Sequence, residues 1–282
     1  DSKSPMYFIA VACAVNIILD YLFIGFFHLG ASGAALGTTL SQACSVLFAL
    51  IAIKRKQTGL SLSGDCFRPQ KKPLGKILNI PVALQDGFIQ IAFIVITIIA
   101  NRRGLNAAAA VGIVEKIISF LFLVPSSMLS TVSALAAQNI GAGKYDRAKQ
   151  TLRYAMMIAI GFGLVVSILI QFIAAPVVGL FTADAAVILL GAQYIRGYIW
   201  DCIFAGVHFS FSGYFCACGK SGISFLHNLI AILCVRIPGV YLTSKIFPHT
   251  LFPMGLATAT GSLLSVIICI IAYRWLCEKS GK

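Results

Sequence analysis

The chain is a succession of apolar stretches, each about long enough to carry an α-helix across a bilayer, separated by polar breaks. About 20 apolar residues span the hydrocarbon core as a helix, so the pattern predicts spans near 6–27, 33–53, 77–100, 107–135, 152–175, 186–215, 223–247 and 252–276. An all-α integral membrane protein with eight transmembrane helices is the expectation. Composition agrees: 59% of the residues are hydrophobic, only 11% are charged, and the mean hydropathy is +0.92. These values lie outside the range of soluble globular domains.

The net charge of +13 is a matter of topology. On one side of the predicted spans fall Lys3, the seven cations from Lys54 to Lys76, Lys144, Arg147, Lys149, Arg153, Lys220, Arg274, Lys279 and Lys282. The other side holds only Arg102, Arg103 and Lys245. Cytoplasmic loops carry the excess of Lys and Arg, which places both chain ends and the 54–76 loop in the cytoplasm. The positive charge then needs no nucleic-acid partner.

Four acids fall within or near the hydrocarbon: Asp20, Asp86, Glu115 and Asp201. An Asp at the centre of a membrane helix costs roughly 2.5–3.5 kcal/mol on insertion scales, so each one retained there needs a partner or a task. Asn16 and Asp20 are four apart and share one helix face, where a carboxylate and a carboxamide can hold a proton or a hard monovalent cation. Packing through a hydrogen bond to a neighbouring helix is the plainer alternative. Asp201 and His208, seven apart, lie along an aromatic run that includes Tyr198 and Trp200, a setting suited to organic cations. Gln85 and Asp86 follow Pro81, whose missing N–H frees a carbonyl one turn earlier and marks a kink or cavity wall. Together Gln85, Asp86, Tyr198, Trp200, Asp201 and His208 form a candidate polar or substrate site. Glu115 and Lys116 point about 100° apart, which suits salt bridges to other helices as well as transport. Arg236 is deep in its span and needs a carboxylate that the sequence does not identify.

Catalytic and metal chemistry find no foothold. No H-E-x-x-H, G-x-S-x-G or phosphate-loop arrangement is present, and Gly141-Ala142-Gly143-Lys144 reads as a helix stop followed by a basic cytoplasmic turn. The nine cysteines are scattered, with only Cys216 and Cys218 near each other, so neither a disulfide framework nor a metal site is expected. No cofactor is expected.

A weak internal repeat is visible. Gly33-Ala34-Ala35-Leu36-Gly37-Thr38 and Gly255-Leu256-Ala257-Thr258-Ala259-Thr260 both read G-x-A-x-x-T, and each follows a span that has an Asn near its start, Asn16 and Asn228. Small residues at this spacing also serve close helix packing in lipid. Repeat-built transporters bind substrate between their halves. The opening residues, Asp1-Ser2-Lys3-Ser4-Pro5, lead directly into a span, which points to a piece of a longer protein.

The segment Ala137-Gln138-Asn139-Ile140-Gly141-Ala142-Gly143-Lys144-Tyr145-Asp146-Arg147-Ala148 resembles the G-Q-N-x-G-A-G-x-x-x-R-A hallmark of the MATE family, the multidrug and toxic compound extrusion transporters. Asn16-x-x-x-Asp20 with Phe23-Ile24, Gly30-Ala31-Ser32-Gly33-Ala34-Ala35, Pro81 ahead of Gln85, and Tyr194-Ile195-Arg196 before Gly213 follow in the family's order. The hallmark residues Gln138, Asn139, Gly141, Gly143 and Arg147 are structural in this reading.

The resemblance implies a partial two-lobe bundle corresponding to helices five to twelve of twelve. Residues 1–56 are then the last two helices of the N-terminal lobe, 57–76 a basic cytoplasmic interlobe loop, and 77–282 the six-helix C-terminal lobe. It implies secondary active efflux of organic cations or other xenobiotics by antiport with Na⁺ or H⁺, in a protein that is monomeric at full length and sits in a bacterial inner membrane. Asn16 and Asp20 match an N-lobe cation or proton site, with Na⁺ at Asp20 the only metal ion implied. In another bacterial branch a C-lobe Glu and Asp bind Na⁺; Ile89 and Ala205 stand at those positions here, with Asp86 and Asp201 displaced by about a turn. The runner-up is a lipid-linked oligosaccharide flippase of the related exporters, which would be expected to line its cavity with cations for pyrophosphate. Only Lys116, Arg196 and Arg236 are at hand for that task.

Overall fold

The computed structural model describes residues 3–56 and 80–279, and every regular element among them is helical. The chain separates into two compact units, Asp1–Gly75 and Lys76–Lys282. The 57–76 loop expected to join two lobes lies outside the described residues.

The first unit is a helical hairpin. Helix α1 (Lys3–Asp20) continues through a π-helical turn (Tyr21–Phe26) and returns as α2 (Gly30–Lys56). The connection is closed by the Phe27 and Leu29 N–H groups, which donate to the Leu22 and Phe23 carbonyls at 3.0 and 2.9 Å. Gly33 and Gly37 of the G-x-A-x-x-T segment are buried on the face of α2 that meets α1.

The second unit runs α3 (Ile80–Asn101), α4 (Leu105–Leu121), α5 (Leu123–Gly141), α6 (Tyr145–Gly179), α7 (Ala185–Tyr198), α8 (Asp201–Ala217), α9 (Ser221–Ala231), a second π-helical turn (Ile232–Arg236), α10 (Ile237–Ile246) and α11 (Phe252–Lys279). Its core centres on α8, which packs against α5, α6 and α11. Helices α7 and α11 cross backbone to backbone at Gly197 and Gly255: a Cβ on either would strike a carbonyl of the other helix, Phe252 or Tyr194. In lipid such close approach matters because dispersion, rather than the hydrophobic effect, holds helices together.

Six stretches among the described residues are long and apolar enough to cross a membrane: Ile9–Phe26, Gly30–Ile51, Leu105–Gly141, Tyr145–Gly179, Ser221–Ile246 and Phe252–Leu276. Gly87–Asn101 is a shorter apolar helix. The stretch read as one span over 186–215 is two helices, broken at Ile199–Trp200 by i→i+3 turns in which Cys202 N–H donates to the Ile199 carbonyl at 2.9 Å and Ile203 N–H to that of Trp200 at 3.2 Å. Helix α6 reinforces the break, with the Ser167 hydroxyl donating to the Ile199 carbonyl at 3.2 Å and Gln171 to that of Arg196 at 3.0 Å. Such supplementary donors make irregular backbone tolerable at membrane depth.

The span predicted at 107–135 extends over Leu105–Gly141 and is interrupted at Phe122. Pro125 accounts for this, because its ring clashes with the carbonyl four residues earlier, that of Leu121, the last residue of α4. Helix α6, with 35 residues, is about 52 Å long at 1.5 Å per residue. It exceeds the ~30 Å hydrocarbon core, so there is length for its basic first turns to lie outside it.

Candidate functional site

The hallmark segment forms a helix terminator. Gly143 adopts φ +74°, its N–H donates to the Ile140 carbonyl at 2.9 Å, and the Lys144 N–H reaches the Asn139 carbonyl at 2.8 Å. These are the paired bonds of a Schellman cap. The Asn139 side chain donates to the Leu135 carbonyl at 2.8 Å, Gln138 and Gly141 are exposed, and Arg147 is exposed at the start of α6 beside Lys144 and Asp146. The segment ends one helix and starts the next, as the basic-turn reading expects.

In the first unit Asp20 is the last residue of α1, directly before the π turn. Asn16 lies one helical turn earlier, and both side chains are half-buried. Among the described residues nothing hydrogen-bonds the buried Asp20 Oδ1 or Asn16 Nδ2, and no Lys or Arg pairs with Asp20. Opposite stands Gly37, where a Cβ would come within 2.5 Å of Asp20 Oδ1. The space that holds the carboxylate therefore depends on the missing side chain of a residue on α2.

In the second unit a cavity of about 250 Å³ is bordered by α3, α4, α5, α8, α9, the π turn and α11. Asp201 and His208 both line it, together with Asn228, Arg236 and Ser262 and an aromatic wall of Phe93, Phe122 and Phe209. Asp201 is the carboxylate partner of Arg236 that the sequence could not name. The Arg236 guanidinium stands 3.6 Å from Asp201, donates to the Tyr198 hydroxyl at 2.6 Å, and lies over the Phe93 and Tyr198 rings at 5.4 and 5.7 Å. Asp201 is fully buried and Arg236 is 8% exposed. The Ser262 side chain adjoins the carboxylate, and the Glu115 charge also acts on Arg236.

The remaining candidates are dispersed. Gln85 is buried but accepts from Ser224 at 2.7 Å and does not line the cavity. Trp200 packs against the hydrophobic core, and Tyr198 belongs to the site through Arg236. Asp86 lies on α3, and its side chain falls outside the described residues. Glu115 has the Thr97 hydroxyl 3.4 Å from each of its oxygens, while Lys116 is exposed. Ile89 and Ala205 both face the cavity.

Sequence reasoning missed Asn228 and Ser262 as cavity residues, although Asn228 was marked by the internal repeat. It also missed His227, which is buried, bonded to Ser212 at 2.9 Å and Ser265 at 2.5 Å, and packed edge-on against His208. The repeat has a local structural counterpart: a π turn begins five residues after Asn16 and four residues after Asn228. π turns arise where a helix is locally widened and often mark functional positions.

Buried acids, a polar cavity and apolar helices of spanning length define a multi-pass membrane bundle. The MatE family model matches residues 81–242, more than half of the chain, and the chain belongs to the MatE family. Relatives include the probable multidrug resistance protein YpnP of Bacillus subtilis, 29% identical over 98% of this chain and 61% of its own length. The multidrug export protein MepA of Staphylococcus aureus is 28% identical over 92% of this chain and 57% of its own. Among solved structures, a mutant of the Vibrio cholerae MATE transporter VcmN superposes with a TM-score of 0.87 at 19% identity, over 98% of this chain and 63% of that one. A MOP superfamily transporter from Pyrococcus furiosus also gives 0.87, at 20% identity, with the same coverage of 98% and 63%. These two likenesses establish the fold. The chain thus spans about three fifths of the length of the curated relatives it matches.

Proposed function

We infer that this chain is part of a secondary multidrug efflux transporter that exports organic cations or other xenobiotics by antiport with Na⁺ or H⁺. The observation that carries the reading is Asp20: a carboxylate in an apolar hairpin, with Asn16 on the same face, Gly37 making room for it, and no basic partner among the described residues. A carboxylate and a carboxamide on one face suit a proton or a hard cation, which prefers oxygen ligands. The names of YpnP and MepA, a multidrug resistance and a multidrug export protein, support the efflux reading.

Drug and ion divide the work between the two units in this proposal. Asp20 and Asn16 take the coupling ion, and the cavity beside Asp201 and His208, with its wall of Phe93, Phe122 and Phe209, offers aromatic faces to amphipathic cations. Residues 1–56 serve as the end of an N-terminal lobe and residues 77–282 as the C-terminal lobe. The eight passes, the monomeric full-length state and the cytoplasmic position of both chain ends in a bacterial inner membrane belong to the same reading, the last resting on the Lys and Arg bias. The flippase reading weakens because Arg236 is engaged by Asp201 and Tyr198, and Arg196 by the Gln171 carbonyl at 3.1 Å.

The test is Asp20→Asn in the full-length protein, expressed in a drug-sensitive host. Drug resistance is expected to vanish while the amount of protein in the membrane is unchanged. Undiminished resistance would remove Asp20 from the mechanism.

A further inference from the structure

The two units treat their buried carboxylates differently. Asp20 has no basic side chain beside it among the described residues, whereas Asp201 has Arg236 at 3.6 Å. We propose that Arg236 is the resident cation of the second unit's cavity, occupying Asp201 so that no Na⁺ binds at that carboxylate and leaving Asp20 as the carboxylate open to it. Arg236 is thereby a specificity-determining residue, and this inference rests on the reading of the chain as part of a cation-coupled transporter.

Geometry holds the guanidinium in place from three directions. Its Nη2 donates to the Tyr198 hydroxyl at 2.6 Å, and the Phe93 and Tyr198 rings lie 5.4 and 5.7 Å from its centre, within the range of cation–π attraction. Its stem is fixed by the neighbouring helix: a Cβ at Gly261 on α11 would approach Arg236 Cβ to 2.9 Å. Arg236 also closes the second π turn, immediately before α10, which carries Pro238 in its first turn. The side chain is thus positioned by packing, a ring pair and a hydroxyl, and the carboxylate lies within its reach.

The cavity would accept a cation if the guanidinium were gone. Asp201, Asn228, His208 and Ser262 all line it and carry oxygen or nitrogen acceptors. Neither Asp201 oxygen meets hydrogen-bond geometry with another group among the described residues, so both retain acceptor capacity. With Arg236 in place, a second cation at Asp201 would meet a fixed positive charge a few ångströms away, at a depth where water screens poorly. Glu115, the other acid near Arg236, has its oxygens beside Thr97 rather than in the cavity lining.

The experiment is equilibrium binding of radioactive Na⁺ to purified full-length protein in detergent. Asp20→Asn protein is expected to bind no Na⁺ saturably. Asp20→Asn/Arg236→Gln is expected to regain one saturable site per chain and to become more heat-stable as Na⁺ is added. Adding Asp201→Asn should abolish that site. Arg236→Lys, which keeps the charge, serves as the fold-preserving variant and in the Asp20→Asn background should leave the cavity closed to Na⁺. Saturable binding by Asp20→Asn protein, or by Asp20→Asn/Arg236→Lys, overturns the proposal. So does folded Asp20→Asn/Arg236→Gln protein that binds none. Drug resistance that survives Asp20→Asn removes Asp20 from the coupling mechanism and leaves these binding results standing.

Discussion

Asp201 and Arg236, 35 residues apart in sequence, meet at 3.6 Å where α8 faces the second π turn, both of them more than nine-tenths buried. Removing one partner of such a pair leaves an uncompensated charge, at a cost on the order of 3–5 kcal/mol, while replacing both by apolar groups is often nearly neutral. Asp201→Asn is therefore expected to lower the heat stability of the full-length protein markedly, and Asp201→Leu/Arg236→Met to recover most of the loss. Thermal unfolding in detergent, arranged as a double-mutant cycle, measures this coupling.

Gly37 stands where Asp20 needs room. A methyl group placed 2.5 Å from Oδ1 forces the carboxylate or the helix pair to move, and overpacking of this kind costs about 1–3 kcal/mol. Gly37→Ala is expected to reduce drug resistance toward the level of Asp20→Asn. Gly112→Ala, with nothing within 4 Å of the added carbon, should be silent in the same resistance assay.

The helix stop at Gly143 rests on a left-handed backbone, φ +74°. A side chain in that conformation costs roughly 1–2 kcal/mol. Gly143→Ala should lower the thermal midpoint accordingly, and Gly143→Asn by less, since Asn visits this region more readily.

Arg103 ties two interhelical connections together. One of its nitrogens donates to the carbonyls of Phe247, Pro248 and Thr250, at 2.9, 2.5 and 3.1 Å. Partial burial lowers its pKa from the free guanidinium value, yet it stays charged at physiological pH. Arg103→Ala is expected to cost about 1.5 kcal/mol, near the lower bound for charge-assisted bonds because the site is half-exposed. Limited proteolysis should then cut faster near 247–250, and Arg103→Lys should restore part of the protection.

How much of this was legible beforehand varies by residue. The membrane class was readable because spanning length and apolar composition are local properties of a helix. The Gly143 stop was equally readable, since a Schellman cap is made within six consecutive residues. The break at Ile199–Trp200 left no mark in hydropathy, because the donors that reinforce it, Ser167 and Gln171, lie on α6. Asp201 and His208, seven apart along α8, both line the cavity. Gln85, drawn in by the Pro81 kink, and Trp200, drawn in by the aromatic run, meet other neighbours instead, Ser224 and the hydrophobic core.

The sequence by itself determined that this chain lives in a bilayer, which family motifs it carries, and that Asp20 and Asn16 share a helix face, all of which depend on residues close together along the chain. The tertiary structure alone decided that Gly37 makes room for Asp20, that Arg236 answers Asp201, and that a polar cavity lies among α3, α8, the second π turn and α11. Burial makes an unpaired charge expensive whichever helix it sits on, so the sequence announces that a partner is needed. Which partner it finds is set by helix crossings, and those depend on contacts between residues far apart in the chain.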